Sequence, residues 1–460
     1  MTTKTKGGFL SRSVDMTEGP IFSSMIAFSV PLILSGILQT LYNAVDVMVV
    51  GNFASKEAVA SVGATTIIIN LFIAAITSVC NGSNIIFARA IGAKDEHRIQ
   101  RAMTTAYTFS LILGACITVA GILLARPMLM LTGCPDNIMD GAVTYMQIYM
   151  LAAPALVFYN FMSGVIKLSG DSKRPFYYLA ISGLVNVVLN IVLVLLTGAA
   201  VVAVAVATVV AAWVSATLTF VRLTRLEGAC RFNPLKLGMH GETLLKIIRL
   251  GVPSAISSAS FSLTNLQIQT AINAFGDVGI AGNTASISIE NLLHVFTNIS
   301  GGVVSAFMGQ NIGAGNRERT LRVLKVGYLS FAATAIITGS FCLLFGKPLL
   351  GLIIPGEVEA IEFGYIRLAI LSAVSVITAI NSVTGGSLQS FGYTVFQMIV
   401  HLVGTCGFRF LWMAFIFPLS PTPLSLFICY PVSYAIVLIL SLAVNSYLIS
   451  KYKKGQNFAI

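Results

Sequence analysis

Charge is scarce in this sequence. Of its 460 residues, 17 are Asp or Glu and 28 are Lys or Arg, so charged residues make up only 10%, against about a quarter in a typical soluble domain. Hydrophobic residues make up 56%, more apolar material than one soluble core could bury. The composition excludes a soluble globular protein and indicates a protein of the membrane.

Several signatures of enzymes and metal proteins are also missing. The seven cysteines include no CxxC pair, so they predict neither a disulfide framework nor a metal site. None of the four histidines lies in HExxH, and the chain has no GxSxG and no ATP-binding GxxxxGKS or GxxxxGKT,. We therefore expect no enzyme, no cofactor, no resident metal and no ATP-driven pump.

The apolar residues come in runs long enough to cross a bilayer, which takes roughly 20 residues as an α-helix. These runs predict an all-α membrane protein with twelve transmembrane helices. The predicted spans are 22–50, 58–84, 102–124, 139–165, 176–197, 199–223, 243–273, 279–307, 321–345, 359–384, 393–417 and 424–450.

The basic residues are distributed unevenly between the loops. One set of alternate loops, together with both termini, holds most of them, whereas the opposite loops hold only Lys56, Arg126, Lys347 and Arg367. Because basic loops stay in the cytoplasm, we expect a multi-pass protein of the plasma membrane with both termini cytoplasmic. The formal charge of +11 then reflects these loops, and we expect no nucleic-acid binding.

The two halves of the chain resemble each other. Three short stretches recur in the same order at nearly one spacing, which predicts an internal repeat. The matched pairs are Pro31 with Pro253, Gly92 with Gly313 and Gly170 with Gly392, at spacings of 222, 221 and 222 residues. An even number of spans per half makes the repeat parallel. We predict two six-helix bundles, at 1–225 and 243–460, joined by a cytoplasmic linker at 226–242.

The first span carries a polar stripe. Ser35, Gln39, Asn43 and Asp46 follow one another at steps of four, four and three, so they share one helix face. A carboxyl group facing lipid is costly, so this face must line a water-filled cavity or contact polar helices. Asp46 either hydrogen-bonds its neighbours while protonated or loads and releases a coupling ion. Both H⁺ and Na⁺ suit it, and the residues do not choose between them.

The second half has no equivalent of Asp46. Its acid, Glu290, lies in the eighth span on one face with His294. Glu290 is interpreted either as a structural partner of His294 or as a group that attracts a cationic substrate or transfers protons. Arg409, deep in an apolar run, is interpreted as structural or as a substrate contact. The candidates for the substrate cavity are Gln39, Asn43, Asn265, Gln269, Glu290 and His294.

Four stretches make the chain resemble the multidrug and toxic compound extrusion (MATE) transporters over essentially its whole length. They are VPLILSGILQTLYNAVDVMVVG, GDSKRPFYYLAISGLVNVVLNIVLV, GAAVVAVAVATVVAA and GQNIGAGNRERTLR. The resemblance implies export of amphipathic, mostly cationic organic molecules, coupled to entry of H⁺ or Na⁺.

The resemblance also implies a coupling-ion site in the first half. In the family, the position matching Asp46 is the acid of that half, and the positions matching Asn186, Asn190 and Thr208 lie around it. Asn190 stands where some relatives have a second acid, so this site has one carboxylate, at which Na⁺ is possible. Phe261 stands where some relatives have an acid in the seventh span, so a second-half cation site does not carry over.

The function that we expect is therefore a secondary active antiporter that exports drugs and other organic cations by alternating access between two bundles. The intramembrane acids Asp46 and Glu290, against a lone Arg409, favour cationic cargo. A flippase of a lipid-linked substrate is the alternative, and a channel is a more distant one. The expected partners are small organic cations or drugs and membrane lipids, and we expect a monomer.

Overall fold

The computed structural model describes residues 14–53, 56–226, 228–456 and 458. Across these residues every regular element is helical. The chain divides into two compact units, with the boundary between Ile248 and Arg249. The sequence-based domain limits, with a linker at 226–242, remain a prediction.

The described part of the N-terminal unit contains seven α-helices, after which the chain enters the helix that leads into the second unit. The helices are α1 (Ile21–Phe53), α2 (Lys56–Gly92), α3 (Glu96–Leu131), α4 (Asp136–Met150), α5 (Ala153–Leu168), α6 (Lys173–Thr197) and α7 (Ala200–Thr224). A single 3₁₀ turn, Gly228–Cys230, follows α7. Gly198 joins α6 to α7 with a φ of 66°, a left-handed conformation that glycine adopts at little cost.

The described part of the C-terminal unit repeats this order. Its helices are α8 (Gly241–Asn273), α9 (Gly276–Gly313), α10 (Arg317–Ile353), α11 (Val358–Ala373), α12 (Ser375–Ser390), α13 (Thr394–His401), α14 (Phe408–Leu411) and α15 (Pro423–Lys453). Two π-helical stretches, Leu402–Gly407 and Trp412–Ile416, make α13, α14 and a final 3₁₀ turn one continuous helix, Thr394–Leu419. A π-helical turn is rare and is frequent at functional sites.

The prediction of an all-α protein with twelve membrane spans is confirmed. Ten helices of the described chain are long and apolar enough to cross a membrane, and two bent pairs supply the other two spans. The pair α4 and α5 bends by 42° and the pair α11 and α12 by 48°, so each half has its broken span in the same place. At 1.5 Å per residue, the 37 residues of α2 reach about 55 Å, well beyond an apolar bilayer core of about 30 Å.

Candidate functional site

Three polar side chains form a hydrogen-bonded seam between α6 and α7. The amide of Asn190 donates to Oδ1 of Asn186 at 3.2 Å, and the amide of Asn186 donates to Oγ1 of Thr208 at 3.3 Å. Both asparagines are buried. The i, i+4 spacing puts them on the face of α6 that packs against α7, and their oxygens are hard ligands of the kind that suits a small cation.

The structure thus brings together three of the four residues predicted for the coupling-ion site. The fourth, Asp46, lies in α1 with Asn43, but the side chains of both are outside the part of the chain that the structure describes. Gln39, in the same helix, is exposed.

Tyr42 fixes α1 against α6. Its hydroxyl donates to the backbone carbonyl of Leu179 at 3.0 Å. Its ring fills the space beside Gly183, where an added Cβ would lie 1.7 Å from Cζ of the ring. Gly183 comes one turn before Asn186, so this contact sets the register of α1 against the seam.

Alanine at Gly183 is expected to destabilise the N-terminal unit and to weaken transport, because Tyr42 must leave its place on α6. Overpacking of this kind costs about 1–3 kcal/mol. Thermal unfolding of the purified protein and dye export from cells measure the two effects. Gly63→Ala in α2 is the matched control, since its Cβ would meet nothing within 4 Å. Equal stability of the two variants would contradict the packing role of Gly183.

In the C-terminal unit, Glu290 forms a buried ion pair with Arg367. Nε and Nη2 of Arg367 donate to the two carboxylate oxygens at 2.7 and 2.9 Å, a bidentate arrangement with strong charge-assisted hydrogen bonds. The hydroxyl of Ser286 donates to Oε1 at 3.1 Å. Sequence did not predict this partner, and the interpretation of Glu290 as a structural partner of His294 stays a prediction. The assignment of Arg367 to the outer loops is wrong, because its side chain is buried between α9 and α11.

Two glycines allow α9 and α11 to approach closely enough for this pair. A Cβ on Gly282 would lie 2.2 Å from the carbonyl oxygen of Ala360, and one on Gly364 would lie 2.5 Å from that of Gly282. Gly364 is one turn before Arg367 in α11. The backbones therefore touch where the guanidinium group reaches across to Glu290.

The ion pair extends into α8 through amide side chains. Nη1 of Arg367 donates to Oδ1 of Asn283 at 2.7 Å, and the amide of Asn283 donates to Oε1 of Gln269 at 3.0 Å. The hydroxyl of Tyr430, in α15, donates to Oδ1 of Asn265 at 3.4 Å. Of the predicted cavity residues, Gln269 and Glu290 thus belong to one polar network, and Asn265 is held by a tyrosine from another helix.

Arg409 is fully buried, with 0% of its surface exposed, among three aromatic rings. Its Cζ lies 4.1 Å from the ring centroid of Tyr430, 5.1 Å from that of Tyr434 and 5.6 Å from that of Phe261. Its Nε donates to Oγ of Ser433 at 3.0 Å. These contacts join α14 to α15 and α8. They favour a structural role for the part of the guanidinium group that includes Nε.

His294 is half-buried in α9, one turn after Glu290, and its backbone carbonyl accepts a hydrogen bond from Thr297. Among the residues that the structure describes, no group of three or more His, Cys, Asp or Glu side chains could hold a metal ion. The oxygens at the described site are those of amides, hydroxyls and one paired carboxylate.

Comparison with known proteins gives a family match in two parts. The family model MatE matches residues 31–192 and 253–415. The matched segments begin 222 residues apart, the spacing of the repeated proline, so the family match reproduces the internal repeat predicted from the sequence.

Two curated relatives illustrate the similarity. The chain is 30% identical over 314 residues to the probable multidrug resistance protein YoeA of Bacillus subtilis, an alignment that covers 67% of this chain and 68% of that protein. It is 22% identical to the probable multidrug resistance protein NorM of Thermotoga maritima, with 83% of each chain covered.

Solved structures share the fold. An outward-facing multidrug resistance MATE family transporter of the MOP superfamily superposes with a TM-score of 0.85 at 21% identity, over 96% of this chain and 98% of that one. A MOP superfamily transporter from Pyrococcus furiosus, reported for the reverse polarity of its binding pocket, gives 0.83 at 20% identity, over 96% and 99%.

Proposed function

This chain belongs to the MatE family, and on that premise we propose that it is a secondary active exporter of amphipathic organic compounds, drugs among them. The observation that carries the proposal is the buried, hydrogen-bonded polar seam of Asn186, Asn190 and Thr208 between α6 and α7. Polar side chains buried within the membrane are costly and mark many ion and substrate pathways.

The coupling ion is H⁺ or Na⁺, and its site comprises Asp46 and the seam. The outward-facing protein takes the ion from outside, where its entry is energetically downhill. Loading neutralises the carboxylate, disfavours bound cargo and promotes its release. Return to the inward-facing form delivers the ion to the cytoplasm and readmits cargo. This is antiport by alternating access. The hydrogen bonds of the seam amides rearrange when the ion binds and when it is released.

The cargo carries a cationic group, and Asp46 supplies most of the attraction. Glu290 contributes little net charge, because Arg367 lies within hydrogen-bonding distance of both its oxygens. The remaining cavity candidates, Gln39, Asn43, Asn265, Gln269 and His294, offer neutral polar contacts. With these roles, the N-terminal unit recognises the positive charge of the cargo.

Transport into inverted membrane vesicles tests the proposal. An organic-cation dye is supplied, and a pH gradient and a sodium gradient are imposed separately. Uphill dye accumulation with one gradient supports antiport and identifies the ion. If neither gradient drives dye accumulation, antiport is contradicted. Counterflow of labelled against unlabelled dye separates a carrier from a channel, because only a carrier exchanges them.

A flippase of a lipid-linked substrate is the second candidate. The buried Arg409 favours it, because a pyrophosphate linkage needs a basic environment. Translocation of a fluorescent lipid pyrophosphate in proteoliposomes, without dye transport, would support this candidate against the exporter.

We propose that the protein lies in the plasma membrane with both termini in the cytoplasm, because of the distribution of basic loops. We expect a monomer. In a cysteine-free background, a cysteine at Lys94 is expected to react with a membrane-impermeant maleimide only in inverted vesicles. A cysteine at Asp140, beyond the far end of α3 and 88% exposed, is expected to react only in intact cells. Labelling of both from one side would contradict the topology.

A further inference from the structure

The guanidinium group of Arg409 has donors that the fold leaves unused. Among the described residues, Nη1 and Nη2 of Arg409 have no hydrogen-bond partner, although both atoms are buried. Ser433 takes only Nε. A buried, unsatisfied charged donor costs several kcal/mol, so a fold that keeps one invites a functional explanation.

The aromatic rings do not supply acceptors for Nη1 and Nη2. The ring centroid of Tyr430 lies only 4.1 Å from Cζ of Arg409, a cation–π contact. Such a contact does not replace hydrogen bonds, because the N–H groups lie in the guanidinium plane and require acceptor atoms in that plane. Two parallel N–H donors in a fork are complementary to the two oxygens of a carboxylate.

The charge around Arg409 points to the same ligand. The ring of Tyr430 contacts two guanidinium groups, since the Cζ of Arg367 is 5.5 Å from its centroid. Glu290 neutralises Arg367, and the cluster of Glu290, Arg367 and Arg409 therefore carries a net charge of +1. In a low-dielectric interior an anion is strongly favoured beside such a cluster.

Phe261 provides the route to this site. It is 37% exposed and its ring centroid in α8 lies 5.6 Å from Cζ of Arg409, whereas Tyr430 and Tyr434 are buried. Of the three rings around Arg409, that of Phe261 is therefore the one free to change its side-chain rotamer without moving α15. The π-helical stretches on both sides of α14 are a backbone irregularity of the kind that accompanies functional sites.

We propose that Arg409 binds the carboxylate group of an organic acid, which enters past Phe261. The exporter then has an anion-recognition site in its C-terminal unit, and cargo with both a carboxylate and an amine can use it. Calling the ligand a cargo rests on the proposed function, but the binding itself does not, so the test is made on purified full-length protein without a gradient.

Three ligands with one apolar body serve as probes: phenylbutyrate, phenylbutyramide and phenylbutylamine. The chain has two tryptophans, so Trp213→Phe leaves Trp412, three residues from Arg409, as the fluorescent reporter. We expect phenylbutyrate to bind at least about tenfold more tightly than the amide, which is about 1.4 kcal/mol. Arg409→Gln is expected to remove this preference, and Arg409→Lys to retain part of it. The exposed Arg126→Gln is the matched control and is expected to keep the full preference.

Phe261→Ala keeps the test decisive if Arg409→Gln does not fold, because it changes an exposed side chain. It is expected to preserve the carboxylate preference and to raise the association rate. Equal affinities for acid and amide, in the parent and in Phe261→Ala, would overturn the proposal. So would displacement of phenylbutyrate when chloride replaces sulfate as the buffer anion, which would assign the site to a halide. Loss of dye transport alone bears on the proposed function and leaves these binding results unaffected.

Discussion

Replacing Asp46 by asparagine is expected to abolish gradient-driven export while the protein still folds and inserts. The amide keeps the size and hydrogen-bonding capacity of the carboxyl group, but it can neither release a proton nor attract Na⁺ with a full charge. Export by the parent and the variant is compared in vesicles at one imposed gradient, and we expect the rate to fall to that of vesicles without the protein.

The matched control is Asp140→Asn, the same chemical change at an exposed position that pairs with Arg126. It is expected to leave export unchanged. Counterflow without a gradient gives a second readout, because an uncoupled carrier still exchanges cargo. Undiminished uphill transport by Asp46→Asn would remove Asp46 from the mechanism.

Arg367→Met is expected to destabilise the protein by about 3–5 kcal/mol, the usual cost of leaving one member of a buried ion pair alone. The change leaves the carboxylate of Glu290 without its ion-pair partner and removes the hydrogen bond to Asn283. Thermal unfolding of the purified protein in detergent measures the loss. Lys347→Met is the control, because Lys347 pairs with Glu362 where both side chains are about half exposed, and such pairs contribute at most about 1 kcal/mol.

A double-mutant cycle identifies the source of the loss. If the ion pair is responsible, Glu290→Gln combined with Arg367→Met is expected to be less damaging than the sum of the two single changes. Strict additivity would contradict a shared pair. The same variants separate the two roles proposed for Glu290, since a cargo-attracting carboxylate would, on Glu290→Gln, weaken binding of a cationic dye more than that of a neutral analogue.

Hydropathy and repeat spacing were sufficient to predict the architecture. Bilayer thickness determines the length of a span, and the repeat requires the same number of spans in each half. They did not reveal the breaks inside two spans. Pro154 lies just inside α5 and marks the first break, since proline favours the first turn of a helix. No proline or glycine marks the second, between Ala373 and Ser375, so packing of the neighbouring helices determines it.

The site was predictable in part. Helical spacing placed Asn186 and Asn190 on one face, and the family resemblance added Thr208. The partner of Glu290 was missed because Arg367 is far from it in sequence, and only the close approach of α9 and α11 joins them. The available signal was that Arg367 is a charged residue inside a predicted apolar span. As with Arg409, a charge at such a position must have either a structural partner or a ligand. Nothing in the sequence singles out Tyr430, whose position depends on tertiary packing.

The wide turns of the Thr394–Leu419 helix bear on which insertions and deletions this protein can accept. A π turn holds one residue more than an α turn, so the stretch Leu402–Gly407 is where the helix absorbs an extra residue without changing phase. Removing one residue there leaves Arg409 facing Tyr430. Removing one within Thr394–His401 turns Arg409 away by about 100°. Relatives that differ in length along this helix are therefore best aligned with their gap inside the π stretch.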